Sequence, residues 1–316
     1  MKPLISIVLP VFNEEEGIQD TIDTLLNFTE QQEENFELIF VDDGSKDHSV
    51  EILSHAADYY ENIKLVEFSR NFGHQNAITA GLDYISGDAV VVMDADLQDP
   101  PEVITSMVKK WKEGYDVVYG KRAQRDGESV FKKATASMFY RTFRKLSSID
   151  MPLDTGDFRL MDKKVVYQLQ QLKEYDPFVR GQVTWVGFKQ TSVVYHRHER
   201  NAGETKYPLS KMLKLATDGI KSFSIKPLLF ANIFAAIPFV GSIIYLITII
   251  ATSSYSAESF GIIVILLSIS LMLVTLGIVG DYMGRILNQV NKRPRYIVRD
   301  LKGFQQNEKV YKLKNN

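Results

Sequence analysis

The chain has 316 residues, 45% of them apolar, a formal net charge of −2 and no cysteine. That length accommodates one large domain with an appendage, the apolar fraction excludes a disordered chain, and the lack of cysteine excludes disulfides, thiolate metal sites and cysteine nucleophiles. The N-terminus carries no charged segment followed by an apolar stretch and a small-residue cleavage site, so the catalytic part is expected to stay in the cytosol.

In chain order, apolar runs predict strands at Leu4 to Leu9, Leu38 to Val41, Ile63 to Phe68, Ala89 to Met93 and Val117 to Tyr119. Helical patterns fall between them, over 14–27, 47–59, 75–85 and 101–113. This alternation implies an α/β domain with a parallel sheet, covered by helices on both faces and binding ligands at the carboxyl ends of its strands. Asn13-Glu14, Asp42-Asp43-Gly44-Ser45 and Asp94-Ala95-Asp96 all fall at such ends. Asp94 and Asp96 are one residue apart at a strand terminus, so both carboxylates point to the same side. Such a pair suits Mg²⁺ or Mn²⁺ shared with substrate phosphates; the plain alternative is two solvated acids in the turn before Pro100. Neither a GxGxxG fingerprint nor a GxxxxGK[ST] loop is present.

Charge is segregated along the chain. Residues 1–120 hold 24 acids and 7 bases, 121–145 hold 8 bases and 2 acids, and the stretch from Arg285 to the end holds 9 bases and 2 acids. Leu228 to Ile250 and Phe260 to Val279 are uncharged runs of 23 and 20 residues, each near the ~20 needed to cross a bilayer. Their connector, Ala251 to Ser259, has no Lys or Arg, whereas Lys221, Lys226, Arg285, Lys292, Arg293 and Arg295 flank the pair. The positive-inside rule places both flanks in the cytoplasm and the connector outside. Ser129 to Ser147 and Leu209 to Phe223 mix apolar and basic residues in a way compatible with interfacial helices, and also with packing against the catalytic domain or another subunit. His196 and His198 have no carboxylate spacing that would make them a metal site, and Trp111 reads as core.

Val8-Leu9-Pro10-Val11-Phe12-Asn13-Glu14, Val41-Asp42-Asp43-Gly44-Ser45, Ser69-Arg70-Asn71-Phe72-Gly73 and Met93-Asp94-Ala95-Asp96-Leu97-Gln98-Asp99-Pro100 resemble the inverting GT-A glycosyltransferases of family 2. The likeness is to the branch that glycosylates a polyprenyl monophosphate, similar to dolichol-phosphate mannosyltransferases and bactoprenol glucosyltransferases. It extends through Thr155-Gly156-Asp157-Phe158-Arg159, Val179-Arg180-Gly181 with Trp185 following, Arg200-Asn201-Ala202-Gly203-Glu204-Thr205-Lys206-Tyr207, and the two apolar spans.

The resemblance implies a GT-A, Rossmann-like catalytic domain over 1–207, a juxtamembrane helix over 208–227, a two-helix transmembrane hairpin at 228–250 and 260–279, and a basic tail over 280–316. By the family pattern Pro10, Phe12, Glu14, Asp42, Asp43, Arg70 and Asp94 bind the nucleotide sugar, with UDP-glucose favoured, while Asp94, Asp96 and Gln98 hold Mg²⁺ or Mn²⁺. For Asp43 the alternative is a turn residue, since Asp-Gly is a turn signal. A polyprenyl phosphate is largely dianionic at neutral pH, with a second pKa near ~6, and needs positioning more than deprotonation. Arg122, Arg125, Arg200 and Lys206 are the candidates to position it. Asp157 and Asp96 take the catalytic roles; Asp157 could act as base, orient a phosphate oxygen, balance Arg159 or hold Arg180. The partners implied are nucleotide sugar, lipid phosphate, membrane lipids and further copies of the chain, as a tetramer, with no nucleic acid. A processive polysaccharide synthase is the alternative enzyme, disfavoured by having only two spans and by Arg180-Gly181-Gln182-Val183-Thr184-Trp185 in place of QxxRW; a scaffold that binds nucleotide sugar without turnover is the non-enzymatic alternative.

Overall fold

The computed structural model describes residues 2–123, 155–197 and 257–304, together with Val240, Gly241, Ile243, Ile244 and Ile247. Arg125, His198, Arg200, Lys206, both amphipathic stretches and most of the first apolar span lie outside the described residues.

Strands β1 (Leu4–Val11), β2 (Asn35–Asp42), β3 (Ile63–Phe68) and β4 (Ala89–Val92) alternate with helices α1 (Ile18–Glu30), α2 (Ser49–Tyr59), α3 (His74–Asp83) and α4 (Glu102–Lys112). These four strands are parallel, with β1 in register against β2 from Leu4↔Asn35 to Val11↔Asp42 and against β4 from Ile5↔Ala89 to Val8↔Val92. The chain moves outward from β1 through β2 to β3, then returns to lay β4 on the other side of β1. The strand order therefore reverses between β1 and β4, the crevice where open α/β sheets bind ligands.

Side chains on β1 alternate between two cores. Ile5, Ile7, Leu9 and Val11 face a layer with Ile18, Ile22 and Leu25 of α1, Leu53 of α2 and Ile104 and Met107 of α4, whereas Val8 faces Ala77 and Ile78 of α3. Helix α3 lies so close to β1 that a Cβ on Gly81 would stand 2.1 Å from a Val8 methyl, so only glycine fits there. On that same face Glu37 joins Ser6 at 2.5 Å, Lys64 at 2.7 Å and the Ser86 amide at 2.6 Å. This network satisfies a carboxylate set among apolar strands.

The rest of the sheet departs from the expected parallel arrangement. After β5 (Val117–Arg122), β6 (Thr155–Asp162) enters between β4 and β5 and runs antiparallel to both. Helices α5 (Lys163–Gln171) and α6 (Val179–Trp185) follow, and β7 (Gln190–Tyr195) pairs parallel to β5 up to Arg122↔Tyr195. That pairing carries β5 three residues past the expected Tyr119, which puts Lys121 and Arg122 in the strand instead of in a loop. The sheet is mixed, in the order β7-β5-β6-β4-β1-β2-β3-β8. Trp111 of α4 packs half-buried against the core, its Nε1 donating to Asp162 at the end of β6 at 2.7 Å.

The last strand, β8 (Val298–Lys302), comes from the segment expected to be a basic tail and pairs antiparallel along the open edge of β3. Tyr296 leads into it, stacked on Phe68 at 5.0 Å with its hydroxyl donating to Asp83 at 2.8 Å. The Ile297 carbonyl accepts from the Ser69 amide at 2.9 Å. Aromatic stacking and backbone pairing, both indifferent to net charge, recruit this segment.

Helix α7 (Ala257–Val290) belongs to a second unit. Its 34 residues span about 51 Å at ~1.5 Å per residue, and it runs eleven residues beyond the expected end at Val279. Among the described residues it is the one helix long and apolar enough to cross a membrane, over Leu267–Val290. Met272, Leu273, Leu276 and Leu287 are all exposed on it.

Candidate active site

Three loops at the carboxyl ends of β1, β2 and β3 are laced together by side chains the sequence marks. Asp42, buried in β2, accepts from the amides of Gly44 at 3.0 Å and Ser45 at 3.1 Å; burial pushes its carboxyl up, against the pull of those bonds. Asp43 reaches the next loop instead, taking the Phe72 amide at 2.6 Å and the Gly73 amide at 3.0 Å. Its bonds fix the entry to α3. Gly44, at φ +72°, presses against the backbone of Arg70 and Asn71, where a Cβ would come within 2.4 Å. Asn13, left-handed at φ +53°, takes the Lys46 amide on its side chain at 2.8 Å and donates its own amide to Ser45 at 2.9 Å. Pro10 is buried in β1, Glu14 is half-buried, and Phe12 presents a ring 42% exposed at the rim. Arg70 is exposed and stacks on Phe72 with its guanidinium 3.9 Å from the ring centre.

Across the switch point, β4 delivers Asp94, Asp96 and Gln98. The Asp96 carboxylate accepts from the Gln98 amide at 3.2 Å in a turn held by left-handed Leu97 at φ +51°. Asp94 is flanked by His74 Nε2 at 3.6 Å and by an Arg197 nitrogen at 3.9 Å. Desolvation pushes its carboxyl up, His74 draws it down, and Asp157, Asp99 and Asp96 raise it again. Crowded carboxylates are a hard-oxygen donor set that gains from a cation, and Gln98 follows Asp96 by two residues. Among the described residues no three His, Cys, Asp or Glu side chains enclose a metal. Two carboxylates with open positions fit an Mg²⁺ or Mn²⁺ ion that takes its remaining ligands from a diphosphate.

Asp157, on β6 and 7% exposed, faces this group. Arg180 of α6 donates to both of its oxygens, each at 2.7 Å, and His74 Nε2 adds a contact to Oδ2 at 3.3 Å. Burial raises the Asp157 carboxyl, and Arg180 with His74 more than offsets this, holding it well below the usual carboxylate range. His74 loses basicity to burial and regains more from Asp157 and Asp94, rising to about 9. Arg159 donates to the backbone carbonyls of Gly156 at 2.9 Å and Asp157 at 3.3 Å, and the Asp157 charge partly offsets the loss of basicity that burial imposes on it. Of the roles open to Asp157, holding Arg180 is the one its bonds display.

A fourth cluster lies at the ends of β5 and β7. The Tyr195 hydroxyl donates to Asp99 and also bonds Arg122, while Arg197 Nε stands 3.4 Å from the same Asp99 oxygen. The Arg122 guanidinium lies against Gly156, where a Cβ would meet it at 2.9 Å. The Nε of both Arg122 and Arg197 is buried without a hydrogen-bond partner. The structure thus brings Asp42, Asp43, Asp94, Asp96, Asp157 and Arg122 to one end of the sheet. It adds His74, Asp99, Tyr195 and Arg197, which sequence reasoning did not assign. His74 directly follows Ser69-Arg70-Asn71-Phe72-Gly73, and Arg197 follows a strand end by two residues; only tertiary packing gives either a partner.

A mixed sheet with acids converging at the switch point of its four parallel strands, and an antiparallel strand carrying a locked carboxylate, defines the GT-A, Rossmann-like class. The family model for glycosyl transferase family 2 matches residues 6–170, and the chain belongs to that family. It is a glycosyltransferase. An uncharacterized glycosyltransferase of Bacillus subtilis (strain 168), YkcC, is 52% identical over 97% of this chain and 96% of its own. A prophage bactoprenol glucosyl transferase homolog of Escherichia coli (strain K12) is 38% identical over 94% of this chain and 99% of its own. Among solved structures, glucosyl-3-phosphoglycerate synthase from Mycobacterium tuberculosis, in complex with phosphoglyceric acid, aligns at a TM-score of 0.46 with 22% identity, covering 69% of this chain and 78% of that one.

Proposed function

We propose that this enzyme transfers glucose from UDP-glucose to a polyprenyl monophosphate, with inversion at the anomeric carbon, at the cytosolic face of the cell membrane. The observation that carries the reading is the reach of the likeness to the bactoprenol glucosyl transferase homolog. At 94% of this chain and 99% of that one, it takes in the apolar C-terminal region as well as the nucleotide-sugar domain. An acceptor that lives in a membrane explains why that region is shared.

The chemistry follows from charge. An oxygen of the lipid phosphate attacks the anomeric carbon, the bond from that carbon to the β-phosphate breaks, and UDP leaves with the bonding electrons. A dianionic acceptor needs no base. Asp157, already held ionised by Arg180, therefore positions that arginine instead of taking a proton. Arg122 bears on the acceptor phosphate, with Arg125, Arg200 and Lys206 assigned to the same task from sequence. Asp94, Asp96 and Gln98 would hold Mg²⁺ or Mn²⁺, which when bound neutralises charge on the departing diphosphate. Helix α7 and the preceding apolar run form the membrane hairpin in this reading, with the basic flanks in the cytosol. Incubating the protein in lipid nanodiscs with radiolabelled UDP-glucose, Mn²⁺ and undecaprenyl phosphate tests it. Label should enter the organic-extractable fraction only when the lipid phosphate is present, and transfer to water alone or to a growing polymer would reject the acceptor.

A further inference from the structure

We infer that His74 is a positioning residue for the transfer step, acting through Asp157. The inference rests on the reading of sugar transfer at this cleft and adds a residue to it. His74 opens α3, and its place is set from below: the Asp43 carboxylate takes the amides of Phe72 and Gly73, so the first turn of α3 is anchored to the end of β2. From there the imidazole reaches across the crevice. Its Nε2 lies 3.3 Å from Asp157 Oδ2 and 3.6 Å from Asp94 Oδ1, so it spans the carboxylate assigned to the donor side and the one that carries Arg180.

The neighbouring bonds define what this contact does. Arg180 grips Asp157 from α6, and Gln75, the next residue of α3, adds a 3.5 Å contact from its side-chain Nε2 to Oδ2 while its side-chain Oε1 accepts the Val179 amide at 2.9 Å. Helices α3 and α6 thus meet through the Asp157 carboxylate as well as through the direct Val179–Gln75 bond. The Gln75 contact is at the long limit of a hydrogen bond, so the shorter His74 contact is the firmer hold from the wall opposite Arg180; it fixes the plane of the carboxylate and so fixes where Arg180 presents its remaining N–H groups. His74 is partly exposed toward the crevice, so its removal leaves the hydrophobic core under α3 untouched.

The experiment uses the full-length protein in nanodiscs with His74→Ala and His74→Gln, whose side-chain amide can place an N–H near the position of Nε2. Three quantities are read: lipid-linked transfer, slow release of UDP from UDP-glucose without acceptor, and calorimetric affinity for UDP with Mn²⁺. His74→Ala should lower kcat for transfer about 30-fold or more while KM for UDP-glucose and UDP affinity stay within about threefold, and His74→Gln should regain at least a third of the wild-type kcat. Unchanged kcat in His74→Ala, or equal loss of UDP affinity and kcat in both variants, would overturn the inference and leave the proposed reaction standing. If the wild type releases UDP but makes no glucosylated lipid, the proposed acceptor falls, and the effect of His74→Ala on UDP release still decides the inference. A wild type that does neither removes both.

Discussion

Arg180 grips both oxygens of Asp157, Nε on Oδ1 and Nη2 on Oδ2, each over 2.7 Å, and joins a helix to the antiparallel strand that faces the paired acids of β4. A bidentate pair of this kind at a nearly buried carboxylate is both a structural tie and a way of aiming the guanidinium.

Removing one partner leaves the other's charge without its counter-charge. Asp157→Ala should destabilise the protein by about 3 kcal/mol, since breaking a buried ion pair leaves an uncompensated ion. Arg180→Lys should retain most of the stability and still lose transfer, because an ammonium cannot make the two-pronged contact. Thermal unfolding in detergent beside transfer assays checks both; equal transfer by Arg180→Lys would show that the fork has no bearing on the reaction.

The donor set at the end of β4 predicts a cation requirement. Asp96→Asn should reduce transfer at least about 100-fold with the fold intact, and chelation of the wild type should do the same. Full transfer in EDTA would take the cation out of the reaction. Calorimetry adds a second reading, because UDP should bind the wild type more tightly with Mn²⁺ than without it.

Acid lability should trace in part to Glu37. Burial raises its carboxyl, and Lys64, Ser6 and the Ser86 amide bring it net below its ordinary value. A carboxylate depressed in the folded state contributes stability that is present above the ordinary carboxylate range, near ~4.3, and is lost as pH falls through the folded value. Glu37→Gln should therefore lower the unfolding temperature at pH 7 by roughly 5–10 °C, and the gap to wild type should shrink below about pH 4. A gap that persists undiminished at pH 3 would assign the loss to packing.

Topology is read from charge. In this cysteine-free chain, Ser254→Cys should react with an impermeant maleimide on intact cells and Asn307→Cys should not, since the connector lacks Lys and Arg while its flanks are basic. The reverse pattern would separate the donor site from the cytosolic nucleotide sugars.

The central sheet was legible because β1, β2 and β4 are buried on both faces and so read as largely apolar runs, interrupted only by Ser6 and Glu37 inside them and bounded by polar ends. The acids followed, since a loop at the end of a buried strand has few places to be. Strand β6 was not legible as a partner of β4, because its pairing joins segments about seventy residues apart and leaves no local period. Strand β8 is hidden for another reason: Val298-Arg299-Asp300-Leu301-Lys302 is mostly charged, as an edge strand is, and a charged terminal segment reads equally as a tail. Among site residues, Asp94, Asp96 and Asp157 stood in recognisable patterns. His74, Tyr195 and Arg197 acquire their partners only when α3, β7 and β4 converge.

The position of β8 also constrains how the molecule is made. Arg299 pairs with Glu67 across 232 residues of sequence, and all of α7 is synthesised between them. During translation the β3 edge, with the Phe68 ring that Tyr296 will cover, stays open until the apolar helix has already left the ribosome. The sheet that carries the acid-bearing loops is thus finished last, by residues on the far side of a long apolar helix, and the β3 edge cannot be closed before all of α7 has been made.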